Sequence, residues 1–270
     1  MCQNDSKING PHQGALIDLG NDNWAFMHFQ DLNVYGRVVH LQPAKWINDW
    51  PICGNVKDEL LAGTPYEENE YLIDLKSSYK LESSDLFNKD KLSLMWQTPA
   101  NKKNGWYSLD NGLRLNCYYH NDKAYNALNQ TPNLFLTKIL FSSFTIKTMC
   151  SLNLINDGDE TGLCFMGYDY NYICVRRIDG NNHLQVRQGH FNQDNDVVLF
   201  DCLYKNDTIE FMLKYTAIDT YVLGFNNTYL KNKFTASVGR WIGGKYGIYS
   251  RGLYEGGYSK FEYFKVKKVK

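Results

Sequence analysis

No stretch of this 270-residue chain approaches the roughly 20 consecutive apolar residues that a membrane-spanning helix needs. Met1 to Lys7 lacks both the basic and the apolar part of a signal peptide, so the start is not expected to be a targeting segment, and localisation stays open. Net charge is missing too: 29 Lys and Arg balance 29 Asp and Glu. No overall field therefore draws the protein to nucleic acid or to anionic lipid, and a neutral partner suits it better. The seven cysteines (Cys2, Cys53, Cys117, Cys150, Cys164, Cys174, Cys202) contain no C-x-x-C, are odd in number and are scattered through apolar runs. That pattern argues against a disulfide framework and for reduced, buried thiols. Cys164 and Cys174 are the one pair that could face each other across a hairpin. The N-x-S/T sites at Asn4, Asn129, Asn206 and Asn226 matter only in a glycosylating pathway. Finally, no window of a dozen residues holds a 3.6-residue apolar period, which leaves little room for helix.

What is present is β-strand. Aromatic residues make up 15% of the chain, Tyr alone 20 copies, and such rings suit both β-rich cores and sugar-facing surfaces. In the first fifty residues, 15–19, 24–30 and 37–41 read as short strands between turn clusters at Gly20-Asn21-Asp22-Asn23 and Asp31-Leu32-Asn33. Three or four strands in fifty residues is the repeat of a propeller blade, yet no second copy follows. From Gly54 to about Ser84 the texture turns polar, with Gly63-Thr64-Pro65 and the acidic run Glu67-Glu68-Asn69-Glu70, and reads as a connector. Beyond it, strands are expected at 92–97, 112–118, 144–154, 162–168, 172–177, 183–188, 197–204, 208–215, 220–225, 246–250 and 260–266. In Leu163-Cys164-Phe165-Met166-Gly167-Tyr168 apolar side chains return every second residue, and ten or so such strands argue for a two-sheet sandwich. The expected organisation is thus an all-β chain: one blade over 1–53, a connector over 54–84 and a sandwich over 85–270.

Several runs carry a resemblance. His12-Gln13-Gly14, Trp24-Ala25-Phe26-Met27-His28-Phe29-Gln30-Asp31, the run from Tyr35-Gly36-Arg37 to Pro43, and Trp50-Pro51 resemble the end of the five-bladed β-propeller of glycoside hydrolase family 43, the β-xylosidases and α-L-arabinofuranosidases. Asp85-Leu86-Phe87, Leu94-Met95-Trp96-Gln97, Leu113-Arg114-Leu115, Gly158-Asp159 to Leu163, the run from Tyr172 to Arg177, and Tyr246-Gly247-Ile248-Tyr249 to Phe261 are similar to its concanavalin A-like jelly-roll sandwich. Such enzymes invert, with a base Asp, an acid Glu and an Asp that tunes the acid, and inversion needs two carboxyls about 6.5–9.5 Å apart. The resemblance puts all three on earlier blades. It therefore implies the C-terminal portion of an enzyme acting on xylan or arabinoxylan, inactive alone, with no catalytic residue of its own. An upstream propeller fragment would be its partner. The alternative reading is a non-catalytic carbohydrate-binding or purely structural sandwich.

The resemblance also implies two site residues. His12 would lie at the propeller axis beside a bound cation, often calcium, in the complete fold, although a lone His is by default structural and this chain by itself requires no cofactor. Arg37, the one cation in a stretch that otherwise buries its side chains, would reach into the sugar pocket; without the family, a surface ion pair is the plainer reading. Trp24, Trp46 and Trp50 could stack on a sugar face but are read as packing residues, and His28 and His40 as structural. Asp157-Gly158-Asp159-Glu160 is expected to be a hairpin turn. Arg176-Arg177 and the terminal lysines are expected on solvated strand edges, being too few for a nucleic-acid footprint.

Overall fold

The computed structural model describes residues 1–56, 62–70, 79–117, 126–239 and 241–269, the side chain of His12 excepted. By its internal contacts the chain divides into Met1–Lys80 with Trp241–Gly243, and Leu81–Arg240 with Gly244–Lys270. Part of the expected connector, and Tyr118 at the end of one expected strand, lie outside the described residues.

The first unit is a four-stranded antiparallel meander: β1 (His12–Gly20), β2 (Asn23–Asp31), β3 (Arg37–Ile47) and β4 (Trp50–Cys53), hydrogen-bonded in that order. β1 and β2 turn on Asn21 and Asp22, and β3 and β4 on Asn48 and Asp49. All four adopt positive φ, as tight hairpins require and as Asn and Asp tolerate. The β2–β3 register, with His28 opposite His40 and Phe26 opposite Gln42, sorts the side chains onto two faces. One face is covered by the chain's own flanks. Gln30 Nε2 donates to the Lys7 carbonyl (2.9 Å), and Gln42 both donates to and accepts from the Tyr66 backbone (3.0 and 2.8 Å). The other face leaves Met27, Val39 and Leu41 exposed.

The second unit is a two-sheet sandwich. One sheet takes the order β12 (Val197–Leu203), β11 (Asn181–His190), β10 (Asp169–Ile178), β9 (Glu160–Met166), β16 (Lys245–Arg251), β7 (Phe135–Lys138). The other runs β15 (Thr228–Thr235), β14 (Thr220–Phe225), β13 (Thr208–Thr216), β8 (Phe144–Asn153), β17 (Tyr258–Phe261), β6 (Leu113–Asn116), β5 (Tyr107–Leu109), and β18 (Lys265–Lys268) also pairs with β8. Between the sheets Phe165 stacks on Tyr221 (4.5 Å between ring centroids) and Phe144 meets Tyr246 (5.1 Å). The Tyr221 hydroxyl donates to Asn171 Oδ1 (2.9 Å), which satisfies a polar group inside an otherwise apolar interior.

Two expectations are corrected here. Residues 92–97 form no strand: Leu94 is 94% exposed, while Trp96 turns inward and donates its indole N–H to Asp85 Oδ2 (2.9 Å). Arg176 is not a solvated strand-edge residue either; it is 9% exposed and pairs with Glu160 (3.1 Å). The strand at 260–266 is two strands, β17 and β18, and β4, β5, β7 and β15 are additional. Cys164 and Cys174 are both free, because the β9–β10 register sets each opposite another residue, Tyr172 and Gly162.

The outer face of the six-stranded sheet carries a buried polar network beside an apolar cluster that includes Leu128, Cys164 and Cys174. Cross-strand register aligns Arg251, Glu160, Arg176 and His183 in one row, and Tyr172 and Arg187 in another. Glu160 is fully buried and meets three guanidinium groups, Arg251 at 3.0 Å, Arg176 at 3.1 Å and Arg187 at 3.3 Å, and accepts from the Tyr249 hydroxyl at 2.6 Å. Burial alone would raise its pKa. The three guanidiniums, led by Arg251, outweigh that and hold the carboxyl down at about 2. Alongside, Asp196 accepts from the Tyr170 and Tyr172 hydroxyls (2.6 and 2.8 Å) and from the Leu128 backbone N–H (2.8 Å), tying the segment around Leu128 to this face.

With its own interior and two complete sheets, the sandwich should be an autonomous folding unit. A polypeptide of residues 85–270 should melt in one cooperative calorimetric transition. Aggregation of that fragment, under conditions where the full chain is monomeric and two-state, would place the boundary elsewhere.

Candidate functional site

The β2–β3 connection positions Arg37, one of the two site residues that the resemblance implies. Asp31 and Arg37 face each other across the last rung of the hairpin. Between them the chain makes a single 3-10 turn over Asn33–Tyr35, closed by Leu32 N–H to the Gly36 carbonyl (2.8 Å) and Gly36 N–H to the Asn33 carbonyl (3.0 Å). Gly36 has φ 71° and ψ −143°, a conformation essentially closed to residues with a side chain. A Cβ there would also sit 2.4 Å from the backbone of Ile242 and of Gly243, and Gly243 itself has φ 73°. Two glycines thus meet back to back, where backbone approaches too closely for any side chain.

This close approach brings Trp241 to Arg37. The guanidinium lies 4.3 Å from the Phe29 ring centroid and 5.7 Å from that of Trp241, while its Nε stands 3.4 Å from Asp31 Oδ1. About a third of the Arg37 side chain is exposed. Flanking rings fix the plane of the guanidinium, and its contact with Asp31 is made through Nε. Arginine neither accepts hydrogen bonds nor gives up its proton, so the chemistry available here is recognition of oxygen acceptors, hydroxyl or carboxylate, and not proton transfer.

His12 opens β1 opposite Phe29, next to a register shift at Gln13, whose φ is 51°. Its side chain lies outside the described residues. Among the described residues no three His, Cys, Asp or Glu side chains converge on one point.

The remaining candidates sort physically. His28 and His40 stack 5.5 Å apart, with His40 Nε2 at 3.2 Å from Gln30 Oε1, and burial lowers the pKa of both rings. They belong to the packed face of the blade. Trp24 and Trp46 meet edge to face at 5.5 Å, whereas Trp50 is 69% exposed and packs on little of the unit. In the acidic run, Asp157 accepts from the Gly180 N–H (2.9 Å) at the hairpin end and Asp159 from the Ile155 and Asn156 N–H groups (2.9 Å each), while Glu160 leaves the turn for the interior. Sequence reasoning missed Trp241, whose only local signal is an aromatic residue shortly before Gly243-Gly244.

The family model for the β-xylosidase C-terminal concanavalin A-like domain matches residues 84–267. A putative β-xylosidase of Xylanibacter ruminicola is 38% identical over 116 residues, 40% of this chain and 22% of that protein. A β-xylosidase of Formosa agariphila is 31% identical over 101 residues, 36% of this chain and 17% of that protein. Among solved structures, the family 43 BlXynB protein from Bacillus licheniformis aligns with a TM-score of 0.78 at 15% identity, over 99% of this chain and 56% of its own. The xylan β-1,4-xylosidase from Bacillus halodurans C-125 aligns at 0.76 and 18%, over 98% and 56%. At such identities the structures show shared fold. The matched stretches span about a fifth of the two curated relatives.

Proposed function

The chain belongs to the family of β-xylosidase C-terminal concanavalin A-like domains, and from that membership we propose that it is the C-terminal portion of a glycosidase acting on xylose- or arabinose-containing polysaccharide. Its own contribution is non-catalytic. The sandwich is the stable body, and the blade presents Arg37 to a sugar. One observation carries this reading: the Arg37 guanidinium is clamped between Phe29 and Trp241 and anchored through Nε, as a group that orients a hydroxylated ligand should be. The β-xylosidase names of its relatives support xylose as the sugar, and the axial cation near His12 belongs to the same proposal.

The test uses this chain assembled with a polypeptide that supplies the remaining blades, assayed on aryl β-xyloside. Arg37→Ala should lower kcat/KM about 10²-fold, since hydrogen bonds from a charged donor contribute roughly 1.5–3 kcal/mol. Arg37→Lys should recover only part of it. Unchanged kcat/KM in Arg37→Ala would show that the residue makes only a surface ion pair with Asp31.

A further inference from the structure

The Glu160 network occupies only part of the outer face of the six-stranded sheet. Next to it, between β10, β11, the edge strand β12 and the Asp157 turn, the face opens into a pocket of about 340 Å³. That is within the range of small-ligand sites. Buried residues contribute to its wall: Gln185 and Arg187, the Arg187 side chain only 8% exposed, and Arg176, its side chain 11% exposed. Arg177, Asp157 and Asp179 are nearer solvent, and Val198, directly opposite Arg187 on β12, forms one side.

The chemistry of this lining narrows the ligand. Three guanidiniums face two carboxylates, and behind the wall Glu160 and Asp196 answer the third together with Arg251, four cations against four anions in all. The pocket therefore has no net charge with which to hold an ion. Only Ile178 and Val198 offer apolar side chains, too little for a hydrophobic ligand. Donors and acceptors are both abundant, and two of the lining residues hold hydrogen-bonding capacity that the protein leaves unused: Arg187 Nε, a donor, and Gln185 Oε1, an acceptor, are buried without a partner. A hydroxyl group can both donate and accept, and a sugar carries several on one rigid ring.

We propose that this pocket binds an uncharged polyhydroxylated sugar, one or two units of a glycan chain, at a site in the sandwich that does not use Arg37. It would give the C-terminal domain a glycan-anchoring role of its own. The choice of xylose oligomers as probe rests on the glycosidase reading above, and a second oligosaccharide keeps the two failures apart.

The experiment is calorimetric titration of the full chain with xylohexaose and, separately, with cellohexaose. Saturable binding of xylohexaose is expected. Val198→Trp, which fills the pocket from an exposed position on the edge strand, should weaken it at least tenfold with an unchanged thermal midpoint. Arg177→Ala should weaken it about fivefold and serves if the tryptophan variant misfolds. Lys233→Ala, an exposed substitution on β15 of the other sheet, should leave affinity as it was. Binding of cellohexaose alone, sensitive to Val198→Trp, would uphold the pocket and count against a xylose polymer as its ligand. The proposal is overturned by absence of binding to either hexasaccharide, by full affinity in folded Val198→Trp or Arg177→Ala, or by loss of binding in Lys233→Ala.

Discussion

The isolated chain should turn over neither aryl β-xylosides nor aryl α-L-arabinofuranosides above the uncatalysed rate. Inverting hydrolysis requires one carboxyl to protonate the leaving oxygen and another to activate water across the same sugar. The four strands of the blade and their turns, residues 12–53, hold four acids, and the structure commits each to local work. Asp18 Oδ1 accepts from the Gly20 N–H (2.8 Å), Asp22 and Asp49 sit in positive-φ turns (60° and 62°), and Asp31 meets Arg37 (3.4 Å). None is placed as half of an acid–base pair. Each positioned acid or base typically supplies 10²–10⁴-fold, so the loss of both leaves a deficit on the order of 10⁴ or more. Adding a polypeptide that carries the family's earlier blades should restore nitrophenol release. Turnover by highly purified chain alone, abolished by substituting Asp18, Asp22, Asp31 or Asp49, would show a complete active site within these residues.

Removing the Glu160 carboxylate should be the most damaging single change in the sandwich. A buried ion pair adds little net stability when intact, but deleting one partner leaves the others charged and uncompensated, at a cost of about 3–5 kcal/mol. Here three guanidiniums would be stranded together. Glu160→Gln should lower the thermal midpoint by about 10 °C or more, given roughly 2–4 °C per kcal/mol for a domain of this size. Acid reports on the same interaction without a mutation. Folding depresses the pKa from an ordinary glutamate value to about 2, so the stabilisation is fully present above about pH 4.5 and is lost as pH falls toward 2. The interaction should contribute on the order of 3 kcal/mol of pH-dependent stability in urea denaturation over that window, and Glu160→Gln should show a correspondingly shallower slope. A variant within 1 kcal/mol of the parent, with the same acid slope, would refute this role.

How much of this was legible in the sequence follows from where the information lies. The strand at 208–215 declared itself by alternation because one of its faces is more buried than the other, whereas 162–168 is covered on both faces over most of its length and was legible only from its apolar residues alternating with Gly162, Cys164 and others. The run at 92–97 has a similar composition, yet it is a loop pinned by Asp85, which accepts from the Trp96 indole and the Phe87 N–H (2.9 and 2.8 Å). Nothing in its pattern separates those outcomes. β15 escaped for the opposite reason: on a sheet edge, its Lys and Asn residues face water and erase the alternation. The Glu160 network was invisible, since its arginines come 16, 27 and 91 residues later and only strand register brings them together. For the Arg37 site, the arginine and its hairpin were readable, but Trp241 was not, being some 200 residues distant in the chain.

The distribution of the free thiols turns the molecule into its own opening gauge. The thiolate is the form that alkylating reagents attack, and burial opposes it. Cys117, Cys150, Cys164 and Cys174 are buried in the sandwich, each with its pKa driven up by desolvation, Cys150 to about 12. Cys2 and Cys202 are exposed and Cys53 lies between. Under native conditions a neutral-pH alkylating reagent therefore marks one exposed position in each unit, and the four silent sulfurs acquire label only when the packing that covers them opens, so mass added with time reads the breathing of the sandwich directly.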